Sequence, residues 1–235
     1  MKNKLLILIA LFALAFGLYH FSNRKSRVAV PPAPTPTPSA VLSNDEKLAF
    51  YERELKPVAE VLHNGTISFP LLKVEHTRLK NAIFARYQKP LESSAALNLH
   101  PDDKPGFLAA PFITPAGHPL VTLYVPEAVV LFDMLKKDGS PTWRARFTND
   151  VMVAYFHELH HLELGHPLEN VGKGISLEHE RKAWAVTCRN VLPLMIDEYH
   201  LPVSAVAIEY YTAWTRAEKD ENSPAWHEFI RRKYK

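Results

Sequence analysis

Five prolines fall within the eight residues Pro31 to Pro38, and no helix or sheet can run through such a stretch. Each proline lacks an N–H and holds φ near one value, so residues 28–40 read as a stiff polyproline-type spacer. The chain is thereby divided. Residues 1–27 lie on one side and residues 41–235 on the other, where no internal repeat and no second linker is visible. A single domain is expected there.

The first 27 residues look like a membrane address. Lys2 and Lys4 precede an uncharged run from Leu5 to Phe21, and Arg24, Lys25 and Arg27 follow it. Its 17 residues make roughly 25 Å of helix, the short end of what crosses a bilayer core of about 30 Å. An uncleaved anchor and a removed signal segment are both open, the second because Ala13 and Ala15 form an A-x-A pattern. A Pro-Thr spacer holds a folded body away from a surface. The body is accordingly expected on the extracytoplasmic side, periplasmic in a bacterium, or secreted if the segment is cleaved.

Composition narrows the function of that body. Five of the 28 basic residues belong to the N-terminal segment, which leaves 23 against 25 acidic ones, so nucleic acid is not an expected partner. Cys188 is the sole cysteine, so neither an internal disulfide nor a thiolate zinc cluster is available. With 47% apolar residues, stability comes from packing. Nothing in the sequence specifies an oligomeric state.

Periodicity predicts a mostly helical α+β fold. Asn44 or Asp45 can cap a helix toward His63, which Pro57 should kink or split and Asn64-Gly65 end. A second helix is expected over 71–88, then loop over 91–105, then a small hairpin from Phe107 to Val125 around Pro115-Ala116-Gly117. Val121, Leu123 and Val125 would form an edge strand on which an extended peptide could lie. Further helices are expected over 126–137, 149–164, 177–199 with a break near Pro193, 203–219 and 224–232. Trp143, Trp184, Trp214 and Trp226 read as packing aromatics, and Arg231, Arg232, Lys233 and Lys235 as a solvated tail.

One segment carries chemistry. His157-Glu158-Leu159-His160-His161 is an HExxH pattern, and on a helix positions i and i+4 project side by side, so His157 and His161 can share one metal ion. Two neutral imidazoles suit zinc. Glu158, next to the first ligand, can take a proton from water at the metal. Thr148 or Asn149 could cap this helix, with Asp150 in its first turn and Gly165 ending it. His160 reads as a neighbour on the helix flank.

Catalytic zinc usually takes three protein ligands. Glu180, 19 positions past His161, is preferred as the third, because Ala183 one turn later leaves room for close approach to the first helix. Glu178 is the alternative. His166 lies past the terminating glycine, and His179 ranks below it.

These residues resemble the zincin metallopeptidases of the gluzincin branch, over about residues 150–190. The resemblance implies a zincin-like domain in which zinc, bound by His157, His161 and Glu180, polarises a scissile carbonyl, with Glu158 as general base. It also implies an additional His or Tyr that steadies the oxyanion, for which His179, His200, Tyr210 and Tyr211 are candidates. Trp184 stands where that branch often has aspartate, and Glu163 where it is usually apolar. The metzincin pattern HExxHxxGxxH is not met, since Gly165 and His166 are off register. The expected function is a membrane-tethered zinc metallopeptidase acting on a peptide or protein. A catalytically silent zinc scaffold and a zinc hydrolase of a non-peptide bond are the alternatives.

Overall fold

The structure is a computed structural model that describes residues 42–97, 108–166 and 176–234. The expected membrane segment 1–27 and spacer 28–40 lie outside these residues. No helix among the described residues is long and apolar enough to cross a membrane.

Helix α1 (Asn44–Phe50) starts at Ser43, not at Asn44 or Asp45. Ser43 Oγ accepts the Glu46 N–H at 3.3 Å, and Glu46 Oε2 accepts the Ser43 N–H at 2.8 Å, so two otherwise orphaned donors are satisfied together. A π-helical turn, Tyr51–Leu55, then leads into α2 (Lys56–Asn64), with Pro57 in its first turn, where an N–H is not needed. Gly65 ends α2 at φ +67°, and α3 (Pro70–Tyr87) follows.

The sheet has three strands in the order β1-β3-β2. The expected hairpin is β2 (Ala109–Ile113) with β3 (Pro119–Tyr124), antiparallel, Ala109 opposite Leu123. Two expectations fail here. Residues 92–96 are not loop but strand β1 (Glu92–Ala96), parallel to β3, with Ser94 and Thr122 hydroxyls 2.9 Å apart. Consequently β3 is the central strand and not an edge. Val121 and Leu123 are buried beneath its neighbours, and Val125 already belongs to the next helix.

Helix α4 (Val125–Lys137) leads to α5 (Trp143–Leu164), which carries the HExxH residues. It starts before residue 149, directly after Thr142, so Thr148 and Asn149 are interior to it and not caps, and the Asn149 and Asp150 side chains serve a neighbouring segment. Asn149 Nδ2 donates to Pro202 O at 2.7 Å, and Asp150 Oδ1 accepts the Ser204 N–H at 2.9 Å. After α6 (Leu177–Asn190) and a π-helical turn (Leu194–Glu198), Ser204 caps α7 (Ala205–Arg216), and α8 (Pro224–Lys233) is the last helix.

Helix α5 is the centre of the domain. It is buried along nearly its whole length from Phe147 to Leu162 and contacts α2, α3, α4, α6, β2 and β3. Val151, Phe156, Leu159 and Leu162 are fully enclosed, each contributing roughly 1.5–3 kcal/mol by burial. Gly165 ends the helix at φ +77°, and a Cβ there would stand 2.6 Å from Arg86 Nη1. That close approach is productive, since Arg86 Nε donates to Glu163 O at 2.9 Å. Arg231, Arg232 and Lys233 are exposed as expected, but on the last turn of α8, which buries Trp226, Phe229 and Ile230, and Lys233 Nζ lies 2.5 Å from Glu209 Oε2; Lys235 lies outside the described residues.

His76 of α3 is fully buried against Tyr155 and Phe156, with Lys80 and His63 the charged or titratable groups nearby. Burial, then those two groups, lowers its pKa from the ordinary histidine value to about 4. The unfolded state therefore binds more protons than the folded state between about pH 6.5 and 4, and stability falls as pH drops through that window. His76→Leu is expected to flatten this part of the stability curve, raising the thermal midpoint at pH 5 relative to wild type by more than at pH 8. Calorimetric melts at the two pH values check it.

Candidate metal centre

His157 and His161 stand four positions apart on α5, and the two imidazoles point the same way. Their Nε2 atoms lie 3.2 Å apart. Glu180, in the first turn of α6, reaches across: its Oε2 is 3.2 Å from His157 Nε2 and its Oε1 is 3.4 Å from His161 Nε2. Donor atoms bound at 2.0–2.1 Å to a tetrahedral ion stand roughly 3.3–3.4 Å from one another. The imidazole pair and the two contacts to Glu180, each made by a different carboxylate oxygen, have spacings of that order. His157, His161 and Glu180 form a cluster that could hold a metal ion.

The protonation of the cluster favours the same use. Burial lowers the His157 pKa to about 4, so the ring is neutral at physiological pH and offers a lone pair. Burial alone would raise the Glu180 carboxyl, but its contacts with His157 and His161 outweigh that and hold it below the usual carboxylate range.

Thr187 sets the orientation of His157. Its hydroxyl proton goes to Ala183 O at 2.8 Å, so its oxygen can only accept from the rings around it. His160 Nδ1 lies 2.9 Å away and His157 Nδ1 3.4 Å away. A proton on His157 Nδ1 leaves Nε2 free to face the cluster. His160 is therefore fully enclosed beside the site, outside the cluster.

The other sequence candidates separate clearly. Glu178 is exposed and paired with Lys182 at 2.7 Å. His166 stacks on His179 with ring centroids 3.9 Å apart, its own centroid 5.9 Å from that of His161. Both line the cavity beside the cluster. Tyr210 also lines it, while His200 bonds Ile196 O at 3.2 Å and Tyr211 donates to Asp197. Glu163, at a position usually apolar in the resembling family, is bound by Arg78 of α3, with Arg78 Nη2 at 3.1 Å from Oε2.

Three contributors were not foreseen. Thr187 lies seven residues after Glu180, and that two-turn spacing places it on the same face of α6, a signal present in the sequence. Trp184, read as packing, lies flat on His157 with centroids 4.1 Å apart. Tyr234, in a stretch read as tail, donates its hydroxyl to Glu180 Oε2 at 2.5 Å. No local pattern marks it.

Glu158 faces the cavity beside the cluster and is buried. Burial, reinforced by the negative charge of Glu180, raises its carboxyl well above the ordinary range. The cavity measures about 550 Å³, within the size range of ligand sites. Comparison with family models, curated proteins and solved structures finds no match to this chain.

Thr187→Val keeps the shape of the side chain and removes the acceptor for His157. It is expected to weaken the cluster's affinity for an added divalent metal ion by about 10- to 100-fold, measured by competition with a chromophoric chelator.

Proposed function

We propose that the chain is a zinc-dependent peptidase. The observation that carries this reading is the three-donor cluster with a separate buried carboxylate, Glu158, beside it on the wall of one cavity. Two imidazoles and one carboxylate are a common donor set for catalytic zinc, leaving a position open for water or substrate. Bound there, the ion supplies Lewis acidity to a substrate carbonyl and to water.

The protein groups supply the proton handling. Glu158 carboxylate takes a proton as the water oxygen forms its bond to the carbonyl carbon, and the same carboxyl returns that proton to the leaving nitrogen as the C–N bond breaks. Its raised proton affinity suits the second half of that cycle, and a divalent ion held by His157, His161 and Glu180 would lower that affinity toward what the first half needs. The resembling zincins use their motif glutamate in this way. The N-terminal segment 1–27 would tether the domain on the extracytoplasmic side.

The cavity wall also bears on substrate choice. Val130, Leu131 and Met134 of α4, Val153 of α5 and Val206 of α7 make one side apolar, and Val130, Met134 and Val206 are more than half exposed. Strand β2 lies at the sheet edge, and Ala109, Ala110 and Pro111 line the cavity, so β2 takes over the peptide-flanking place that the sequence had given to β3. The substrate in this reading is an extended peptide with a bulky apolar side chain near the cleaved bond.

Glu158→Gln is expected to retain zinc and fold while turnover of a peptide library drops by at least about 100-fold. A silent scaffold would show no turnover in the wild type to lose. Met134→Glu, at an exposed position, is expected to lower kcat/KM for peptides with Leu or Phe beside the cleaved bond by roughly tenfold or more, with zinc affinity unchanged. Equal cleavage of all library members by the wild type would remove the apolar preference.

A further inference from the structure

We infer that Tyr234 is a positioning residue for the carboxylate of Glu180, and that Trp184 holds Tyr234 in that role. The inference rests on the reading of His157, His161 and Glu180 as metal ligands. The direction of the hydrogen bonds follows from the groups themselves. Trp184 Nε1–H can only donate, and it lies 2.8 Å from Tyr234 Oη. The phenol oxygen accepts that bond and is hydrogen-bonded to the Tyr210 hydroxyl as well, while its single proton points at Glu180 Oε2, 2.5 Å away.

The consequence lies in how Glu180 is held. A carboxylate rotates easily about its last torsion, which is broad and poorly fixed. A donor on Oε2 from the residue that follows α8 stops that rotation and presents Oε1 and Oε2 to His161 and His157 at the observed spacings. The indole of Trp184 has a second contact: its face lies on His157 with an interplanar angle of 25°. Its other face carries Tyr210, centroids 3.9 Å apart. One side chain therefore orients a histidine through its face and a carboxylate through its edge. Helix α8 brings this arrangement about by burying Trp226, Phe229 and Ile230, which fixes where the following Tyr234 stands.

Outer hydrogen-bond partners of this kind typically account for a 10- to 100-fold difference in metal affinity. The test is zinc affinity of the full chain by chelator competition, with the absorption spectrum of the cobalt-substituted protein as a second reading of ligand geometry. Tyr234→Phe removes one oxygen, and it is expected to weaken zinc binding about 10- to 100-fold and to alter the cobalt spectrum, with the metal-free melting temperature nearly unchanged. Trp184→Phe, which retains a ring against His157 and removes the donor to Tyr234, is expected to weaken zinc binding to a smaller degree. Tyr211→Phe, whose hydroxyl serves Asp197, is expected to bind zinc as the wild type does.

Wild-type zinc affinity in Tyr234→Phe overturns the inference, whatever happens to turnover; a fall in turnover alone would mean that the phenol meets the substrate. Should Tyr234→Phe fail to fold, Trp184→Phe decides by the same measure. A wild-type chain that takes up no zinc is a different failure, since it overturns the metal reading itself.

Discussion

The close approach of α6 to α5 is the contact on which everything else rests. Glu180 reaches the two histidines because Ala183, fully buried, lets the second helix lie close to the first. A larger residue there would push the carboxylate out of range, since packed interiors accommodate added volume poorly. The first helix in turn cannot yield. It is enclosed by three other helices and by two strands, and its core residues are among the most buried in the domain.

Around that contact, polar groups are used for orientation more than for stability. Thr187 accepts from the rings of His157 and His160, and its own proton goes to a carbonyl within its helix. Trp184 and Tyr234 form a directed line of donors ending on Glu180. Residues of α5 and α6 and the residue that follows α8 are thereby joined at one point. Glu158 differs from these. It is buried among the same residues and lies free on the cavity wall, a costly arrangement for a carboxyl in a purely structural role.

Much of this was legible in the sequence, and the exceptions have physical causes. The histidine pair follows from helical geometry alone, and Glu180 from its distance and from the small residue one turn later. The helices were readable because apolar spacing and glycine ends are local signals, as at Gly65 and Gly165. Strand β1 was not, because Glu92-Ser93-Ser94-Ala95-Ala96 has no β-branched or aromatic residue and becomes a strand through pairing with β3. Whether β3 is edge or centre depends on that same pairing. Asn149 and Asp150 resemble a helix start because short polar side chains bond to nearby backbone, and here they do so to residues 202 and 204. Tyr234 could not be read at all, since its partners lie 54 and 50 positions earlier.

The indole stacked on His157 also gives the domain an internal optical probe. Trp184 emission should respond when positive charge appears on the imidazole against its face, because an aromatic ring interacts with a neighbouring cation through its quadrupole. Trp214 and Trp226 lie together in a separate buried pair, with centroids 5.3 Å apart, and give a steady background. Occupancy of the site could thus be followed by the protein's own light, without a dye or a label attached to it.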